Sequence, residues 1–283
     1  METYLKQKSF LPYIDYALLN KETLETNQHY KDKAICIEEP PKNVVPKLYN
    51  ASIIMIHPDI FNQWTDILLE LVKRKSLNNI KLFIIHGSDY FIDDEVMEIM
   101  NAFFPNAIFW IQNYIGFNKN NKLLPIGIYR DYNNKIIKDN LFSISYVTYN
   151  SFYREEFYQF LDDNKEFMKK YYTPMTDLDT YFNNLSKVYF TACPMGNGFD
   201  TYRFWESLML KTIPIVKEHT FYDALKYYYP KLPYIKVNSW DDLPALVESL
   251  TIEKYNEMMK DFDIEFLKES FWINQLNMLN YSE

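Results

Sequence analysis

Two glycines with one residue between them lie in the segment Gly196-Asn197-Gly198, in the last third of the chain. The chain has only five glycines, whereas ordinary proteins contain about 7%. Each retained glycine therefore indicates a backbone position that a side chain would block. An apolar run at 187–191 precedes the segment, and a helical pattern at 201–210 follows it. A strand, a glycine turn and a helix start present backbone N–H groups to an anion such as a phosphate.

Polar side chains follow the turn with helical spacing. Asp200 or Thr201 is a candidate N-cap, because a short oxygen side chain accepts hydrogen bonds from the first free N–H groups of a helix. Arg203 would lie in the first helical turn, where a cation opposes the helix dipole unless an anion is bound beside it. Glu206 lies on the same helix face as Arg203, and its carboxylate suits the vicinal hydroxyls of a ribose. The alternative without a ligand is an intrahelical Arg203–Glu206 pair.

Composition limits the classes of function. The chain has 283 residues, 48% of them hydrophobic, and a net charge of −8. This content is ample for a buried core, and the charge argues against a nucleic-acid partner. The two cysteines, Cys36 and Cys193, form no metal-binding pattern, which fits a reducing compartment. No apolar leader or membrane-spanning run is visible, so we expect a soluble protein of the cytoplasm.

Apolar segments alternate with helical patterns along the first half of the chain. Predicted strands lie at 51–56, 81–85, 108–112 and 122–128, and predicted helices at 61–75 and 94–104. This alternation is typical of a parallel sheet covered by helices on both faces. Residues 1–48 are mixed and polar and receive no prediction of an element.

The same alternation begins again after a polar linker at 129–140. Predicted strands lie at 141–149, 188–192, 212–217 and 233–237, and predicted helices at 153–172, 201–210, 243–250 and 252–279. We therefore expect an α/β domain at 1–140, a second at 141–265, and a C-terminal helix at 266–283 that packs back on the first domain. Two such halves would face a central cleft, where α/β folds bind ligands.

Several blocks together resemble one family. Residues 196–208 read GNGFDTYRFWESL and residues 213–216 read IPIV, while HGSDY at 86–90, WIQN at 110–113 and LPIGI at 124–128 precede them. In this order the blocks are similar to those of the exostosin-like glycosyltransferases, which have relatives in algae and large DNA viruses. The resemblance covers roughly residues 80–245.

This resemblance implies a GT-B-like fold of two Rossmann-like domains, with a nucleoside diphosphate sugar, UDP-sugar favoured, bound by the second. By analogy Glu206 binds the ribose, and Arg203 and the turn at 196–198 face the pyrophosphate. Arg154 resembles a second phosphate-binding arginine; without a ligand it is a solvated helix residue.

The implied reaction is an inverting, metal-independent transfer of a hexose or pentose to a hydroxyl of a glycan or glycoprotein, with no cofactor. A non-catalytic glycan- or nucleotide-binding relative is the alternative. If the protein is viral, the compartment is the host cytoplasm.

The sequence departs from the family pattern at two positions. Lys211 stands where the family has a glycine after the helix, a place typical of the left-handed conformation, where a lysine costs about 1 kcal/mol. Gly87 replaces an asparagine and removes a polar side chain from the expected cleft. We also expect no N-terminal membrane anchor of the kind that animal members carry.

Four further residues are candidates for the chemistry. A single-displacement transfer needs a base for the acceptor hydroxyl, and Asp89 and His86 follow a predicted strand; otherwise Asp89 caps a segment and His86 packs beneath it. Asn113 is a candidate for orienting a ligand, and His219 follows a strand near the expected sugar diphosphate.

Two DxD patterns, at 177–179 and 261–263, resemble metal-binding motifs, but we interpret the first as a helix cap and expect no metal site.

Overall fold

A computed structural model describes residues 3–6, 8–39, 41–73, 79–132, 135–145, 151–174 and 177–281. The chain forms two compact units. The N-terminal unit comprises Leu5–Ile126 and Glu269–Glu283, and the C-terminal unit comprises Met1–Tyr4 and Gly127–Lys268. Each unit has its own sheet and its own core, and each is described by itself.

The sheet of the N-terminal unit is parallel throughout its described strands. These are β1 (Tyr16–Leu19), β2 (Ala34–Cys36), β3 (Ile53–Ile56), β4 (Leu82–Ile85), β5 (Ile108–Ile111) and β6 (Asn121–Leu123), in the order β2-β1-β3-β4-β5-β6. Ile56 pairs with Ile85 and Ile85 with Ile111, so these strands end in register. Every residue of β3 and β4 is buried, as expected for central parallel strands covered on both faces.

Four elements of this unit were not predicted. They are β1, β2 and the helices α1 (Lys21–Thr26) and α2 (Pro41–Tyr49), whereas α3 (Phe61–Lys73) and α4 (Asp94–Phe103) match the prediction closely. The strands of three and four residues are too short to show a period, and α2 contains Pro46. Proline is a helix breaker in sequence patterns, so the local signal opposed the observed element.

The sheet of the C-terminal unit has the same winding. Its strands are β7 (Asn140–Ser145), β8 (Tyr172–Thr173), β9 (Val188–Ala192), β10 (Ile213–Lys217) and β11 (Ile235–Val237), all parallel and in the order β11-β10-β9-β7-β8. The predicted strand 141–149 corresponds to β7, and its residues 146–149 lie outside the described part. The prediction of an α/β fold with two Rossmann-like domains is confirmed by the two parallel sheets and their helices.

Two long helices predicted for this half are each interrupted. Instead of a helix at 153–172, α5 (Phe152–Asp163) and α6 (Lys165–Tyr171) are separated by Asn164. Its side-chain amide donates to the Phe160 carbonyl at 2.9 Å, a local bond that competes with the helix. The predicted helix at 252–279 is divided into α11 (Ile252–Met259) and α12 (Glu269–Tyr281).

The other described helices of this unit are α7 (Leu178–Ser186), α8 (Tyr202–Met209), α9 (Thr220–Tyr228) and α10 (Leu243–Glu248). Of these, α9 was not predicted.

Large aromatic side chains fill both cores. In the N-terminal unit, Trp272 of α12 lies 4.9 Å from Trp110 of β5 and 6.5 Å from Phe10, measured between ring centroids. In the C-terminal unit, Phe157 of α5 meets Trp240 at 4.6 Å. Short 3₁₀ turns at Gln28–Tyr30, Pro58–Ile60, Trp240–Asp242 and Glu265–Leu267 complete the described elements.

Candidate functional site

The glycine turn lies where the winding of the C-terminal sheet reverses. Strand β7 has β8 on one side and β9 on the other, so the chain winds in opposite directions from this point. Parallel α/β sheets bind their ligands in the crevice at the carboxyl ends of the strands that flank such a reversal. Residues 193–201 leave the carboxyl end of β9. The topology therefore brings the predicted turn to the position where this class of sheet binds ligands.

Gly196 allows an arginine to lie directly against the turn. A Cβ at this position would be 3.1 Å from Nη2 of Arg154 and 3.6 Å from Cγ2 of Thr201. Nε of Arg154 donates to the Met195 carbonyl at 3.2 Å. Arg154 comes from the first turn of α5, whose N-cap is Ser151. The arginine predicted as a second phosphate ligand thus lies at the turn, although it is 42 residues before Gly196 in the sequence.

Helix α8 begins at the end of the turn. The N-cap is Thr201, whose side chain accepts from the Phe204 N–H, and this decides between the two predicted caps. Asp200 is buried and accepts a hydrogen bond from the indole N–H of Trp205. Asn197 is the exposed residue between two buried glycines, Gly196 and Gly198.

Glu206 has two partners from outside its own helix. Its Oε2 accepts from the hydroxyl of Tyr181 at 2.9 Å, and its Oε1 accepts from the backbone N–H of Tyr129 at 3.2 Å. The side chain is buried, and burial raises its pKa, opposed by these two hydrogen bonds and by the charge of Arg203. The guanidinium carbon of Arg203 lies 4.9 Å from the ring centroid of Tyr181. A carboxylate offers about four acceptor positions, so two bonds leave Glu206 with further capacity.

The positive charges of Arg203 and Arg154 both affect the pKa of the buried Cys193 thiol. Burial raises the pKa of the Cys193 thiol to about 12, while the charges of Arg203 and Arg154 and a hydrogen bond with Thr201 oppose this rise. The thiol is therefore protonated at neutral pH and is no nucleophile. Because both guanidiniums influence the same group, positive charge from α5 and from α8 is concentrated at the carboxyl end of β9.

An aromatic pocket of about 150 Å³ adjoins the turn. It is lined by Phe152, Tyr153, Glu156, Met195, Lys217, Glu218, His219 and Trp240. The His219 ring lies 4.1 Å from that of Phe199 and 6.3 Å from that of Tyr153. Its Nδ1 accepts from the Phe221 N–H at 3.1 Å and caps α9, and burial lowers its pKa, opposed by Asp223.

This pocket was missed from the sequence. Its aromatic residues come from the start of α5, from the N-cap of α9 and from the 3₁₀ turn at Trp240, and helix α9 itself was not predicted. Frequent tyrosine and phenylalanine along the whole chain concealed the signal, since no spacing distinguished Phe152 and Tyr153 from the rest.

The candidate base Asp89 lies on a second cleft, in the N-terminal unit. This cleft of about 810 Å³ is at the carboxyl ends of β1, β3 and β4, and its wall includes Asn20, His57, Asp59 and Asp89. The first three of these residues were not predicted. Asn20 follows a strand that the sequence pattern did not reveal, and without β1 there was no reason to connect it with the loop after β3.

His86 and Asn113 lie beneath this cleft. The His86 side chain is 1% exposed, and within the described part of the chain neither ring nitrogen has a hydrogen-bond partner. Burial, together with the smaller effect of the neighbouring His57, lowers its pKa to about 3, so the imidazole is neutral at pH 7. Asn113 is fully buried, and its side-chain amide donates to the Ser88 carbonyl at 3.1 Å.

The loop that carries Asp89 is held from below by strand β5. Gln112, the residue after β5, accepts from the Gly87 N–H at 2.9 Å and donates to the Ser88 carbonyl at 3.1 Å. Gly87 has φ of 110°, a region that favours glycine. A glycine at this position, where the exostosin-like pattern has an asparagine, therefore fits the local backbone.

The DxD motifs have structural contacts. Asp177 is the N-cap of α7 and accepts from the Thr180 N–H at 2.8 Å, as predicted. Asp179 forms an ion pair with Arg130, and Asp263 accepts from the Glu265 N–H at 2.9 Å. Among the residues that the structure describes, no group of three or more His, Cys, Asp or Glu side chains is arranged to hold a metal ion.

Comparisons with known proteins identify no family. No family model and no curated protein matches this chain, so the exostosin-like resemblance stays a prediction from the motifs. One solved structure found to be weakly similar to this chain is an alpha-glucosyltransferase in complex with UDP and a 13-mer DNA containing an HMU base. The two share 10% sequence identity with a TM-score of 0.39, over 94% of this chain and 99% of the other. Within the described residues, no helix has the length and apolar character needed to cross a membrane.

Proposed function

We propose that the chain is a GT-B-like glycosyltransferase that transfers a sugar from a nucleoside diphosphate sugar, UDP-sugar favoured, to a glycan hydroxyl. The observation that carries this proposal is the convergence of Gly196, Arg154 and Arg203 at the carboxyl end of β9, with Glu206 one helical turn further on. We further propose that these residues form the donor site.

The turn and the two arginines suit a diphosphate. Backbone N–H groups before a helix and two guanidiniums provide charge-assisted hydrogen bonds to phosphate oxygens. As the sugar leaves, negative charge grows on the diphosphate, and fixed positive groups stabilise it most at that moment. Two arginines supply the charge that a divalent cation supplies in metal-dependent transferases, which supports a metal-independent reaction.

The flanking groups suit the nucleoside. Glu206 keeps acceptor capacity beyond its bonds with Tyr181 and Tyr129, and a carboxylate can accept from both hydroxyls of a ribose. The pocket beside Met195 offers the rings of Tyr153 and His219, and aromatic faces stack on nucleobases. We therefore propose that Glu206 holds the ribose and that this pocket holds the base.

The proposed reaction is a single displacement. The acceptor oxygen forms a bond to the anomeric carbon while the bond from that carbon to the diphosphate oxygen breaks, and the bonding electron pair leaves with the diphosphate. The carboxylate of Asp89 takes the hydroxyl proton. Attack opposite to the leaving group inverts the configuration at the anomeric carbon. Asp89 is the proposed base because it is exposed on a cleft, whereas His86 is buried and neutral.

Nucleotide titration tests the donor site. Calorimetry with UDP, GDP and CDP, each with and without Mn²⁺, should show binding of at least one diphosphate that does not depend on the metal. Arg203→Ala and Arg154→Ala should each weaken it about 10- to 100-fold, since a hydrogen bond to a charged group contributes about 1.5–3 kcal/mol. Lys187→Ala, an exposed cation at the end of α7, is the matched control and should change nothing.

Three results would contradict the proposal or narrow it. Unchanged nucleotide affinity in both arginine variants would contradict the proposal that these residues form the donor site. Loss of binding in EDTA would favour a metal-dependent transferase. Binding without hydrolysis or transfer of any UDP-, GDP- or CDP-sugar would favour the non-catalytic relative.

A further inference from the structure

The cleft of the N-terminal unit has the size and position of a ligand site. Its volume of about 810 Å³ lies within the range of about 300–1,000 Å³ that small-molecule sites occupy. It opens between β1 and β3, where the strand order reverses, since β2 is added on one side of β1 and β3 to β6 on the other. Sheets of this class bind their ligands at such a reversal. Its lining residues include Glu22, His57, Asp59, Asp89, Tyr90 and Phe91.

The charges of this wall are negative. Glu22, Asp59 and Asp89 contribute carboxylates, and no lysine or arginine is found among the described lining residues. Burial lowers the pKa of His57, opposed by Asp59 and by a hydrogen bond with the Gly87 backbone. Such a wall repels phosphate, sulfate and uronate groups, because like charges disfavour each other across a cleft.

An aromatic surface stands beside these carboxylates. The rings of Tyr90 and Phe91 are stacked, with centroids 5.8 Å apart and planes 9° apart. They are 53% and 41% exposed, although large aromatic side chains usually bury most of their surface. A flat aromatic face next to hydrogen-bonding oxygens suits a sugar ring, whose C–H face is apolar and whose edge carries hydroxyls.

A buried polar atom in the wall is a second indication of a ligand. The His57 side chain lines the cleft and is only 4% exposed. Within the described part of the chain its Nδ1 has no hydrogen-bond partner, and Oδ2 of Asp59 lies 3.7 Å away. Buried polar groups in proteins nearly always have a partner, and a ligand hydroxyl is a suitable one.

We infer that this cleft binds an uncharged saccharide, held by Asp59 and Asp89 through its hydroxyls and stacked on Tyr90 and Phe91. The saccharide is the acceptor of the proposed transfer, so its role as substrate rests on the proposed function, whereas its binding does not. Sulfated and uronate-containing glycans and nucleic acids are excluded by the acidic wall.

The loop of Asp89 is built for a fixed geometry. Ser88 donates to Asp59 through its hydroxyl and accepts from the Tyr90 N–H at 3.0 Å. The side chains of Gln112 and Asn113 hold the Ser88 carbonyl from below. The carboxylates and the aromatic pair are thereby connected through one short segment, which keeps the hydroxyl-binding edge and the stacking face at a constant spacing.

An array of oligosaccharides tests this inference with the full chain. It carries uncharged, sulfated, uronate-containing and amino oligosaccharides of three to six residues, and a DNA duplex and a lysine-rich peptide are titrated separately. The wild-type protein should bind at least one uncharged oligosaccharide more strongly than every anionic probe. Its affinity should fall at least tenfold in the double variant Tyr90→Ala, Phe91→Ala and about tenfold in Asp89→Asn.

Two exposed side chains serve as matched controls. Asp66→Asn removes an exposed carboxylate of α3 that is not among the lining residues of the cleft, and Tyr227→Ala removes a ring that is 53% exposed on α9. Neither should change saccharide binding. Asp89→Asn preserves shape, so it keeps the test valid if the double aromatic variant does not fold.

The outcomes separate the two proposals. Preference for sulfated glycans, uronates, DNA or the lysine-rich peptide would overturn the inference, as would uncharged binding that survives all three substitutions or no saccharide binding at all. Saccharide binding as expected, together with nucleotide affinity that is insensitive to Arg203→Ala and Arg154→Ala, would remove the proposed transfer but leave this cleft as a saccharide site.

Discussion

At the scale of single residues, burial decides which candidates can perform acid–base chemistry. His86 and Asp89 are three residues apart, and the sequence offered both as the base. The structure buries the imidazole of His86 against Phe10, with ring centroids 6.4 Å apart, and exposes the carboxylate of Asp89. The residue chemistry alone does not distinguish them, since both types serve as bases in enzymes.

The buried His86 should make the protein sensitive to acid. Its pKa is about 3 in the folded state and 6.5 in the reference state, so the unfolded chain binds more protons between these values. The free energy of unfolding should therefore fall as the pH drops below 6.5, by at most about 1.4 kcal/mol per pH unit from this group. Urea denaturation of wild type and His86→Phe at pH 7.5 and pH 5 checks this.

His86→Phe should reduce this acid sensitivity and preserve the packing against Phe10. At pH 7.5 it should be as stable as the wild type or more so, because it replaces two buried nitrogens without partners by carbon. An equal loss of stability on acidification in both proteins would mean that His86 is not the group responsible.

At the scale of elements, α8 ends in a left-handed residue, a position where glycine is preferred but where this chain has Lys211. Lys211 has φ of 56°, in the left-handed region, as the sequence analysis predicted for this position. The Lys211 N–H donates to the Leu208 carbonyl at 2.9 Å, and the Thr212 N–H donates to the Ser207 carbonyl at 2.7 Å. This pair of bonds is the Schellman motif, in which glycine is preferred.

Lys211→Gly should stabilise the protein by about 1 kcal/mol, because it removes the steric cost of a side chain in this conformation. The bond from the Tyr255 hydroxyl to the Lys211 carbonyl, at 2.8 Å, involves the backbone and is preserved. The shift of the urea midpoint at constant slope measures the gain.

Lys187, at the end of α7, is a lysine in a right-handed conformation and serves as the control for Lys211→Gly. Its φ is −91°, so Lys187→Gly adds only backbone freedom to the unfolded chain and should destabilise by about 0.5–1 kcal/mol. If both substitutions changed stability in the same direction, left-handed strain at Lys211 would not be the cause.

At the scale of the whole molecule, the last helix belongs with the first sheet. The sequence analysis placed a C-terminal helix at 266–283 and expected it to pack back on the first domain. Helix α12 is grouped with Leu5–Ile126 in the N-terminal unit, and its Trp272 is 1% exposed between Phe10 and Trp110. The core of the N-terminal unit is therefore completed by residues from the other end of the chain.

Trp272→Ala should destabilise the N-terminal unit by about 3–5 kcal/mol, the usual cost of removing a buried tryptophan from a core. Amide hydrogen exchange should become faster in β4 and β5, and β9 and β10 should keep their protection because they lie in the other unit. Met278→Ala, on the same helix with a side chain that is 71% exposed, is the control. Equal loss of protection in both sheets would show that the units unfold together.

The sequence by itself determined the features that depend on local order. Short buried runs such as Val188 to Ala192 predicted parallel strands, and the spacing from the glycine turn to Glu206 predicted a helix start with its cap. Even the left-handed position of Lys211 was visible, since helix ends follow rules that involve a few neighbouring residues. The first 48 residues were not predictable, because their strands are too short for a period and Pro46 opposes the helix that contains it.

Only the tertiary structure decided how distant residues share their space. Arg154 lies against Gly196, and Tyr181 and Tyr129 bind Glu206, because separate elements meet at the carboxyl end of one sheet. The same holds for the burial of His86 and for the acidic cleft. The charge and accessibility of a side chain depend on all the elements packed around it, and in this chain those elements lie tens of residues apart.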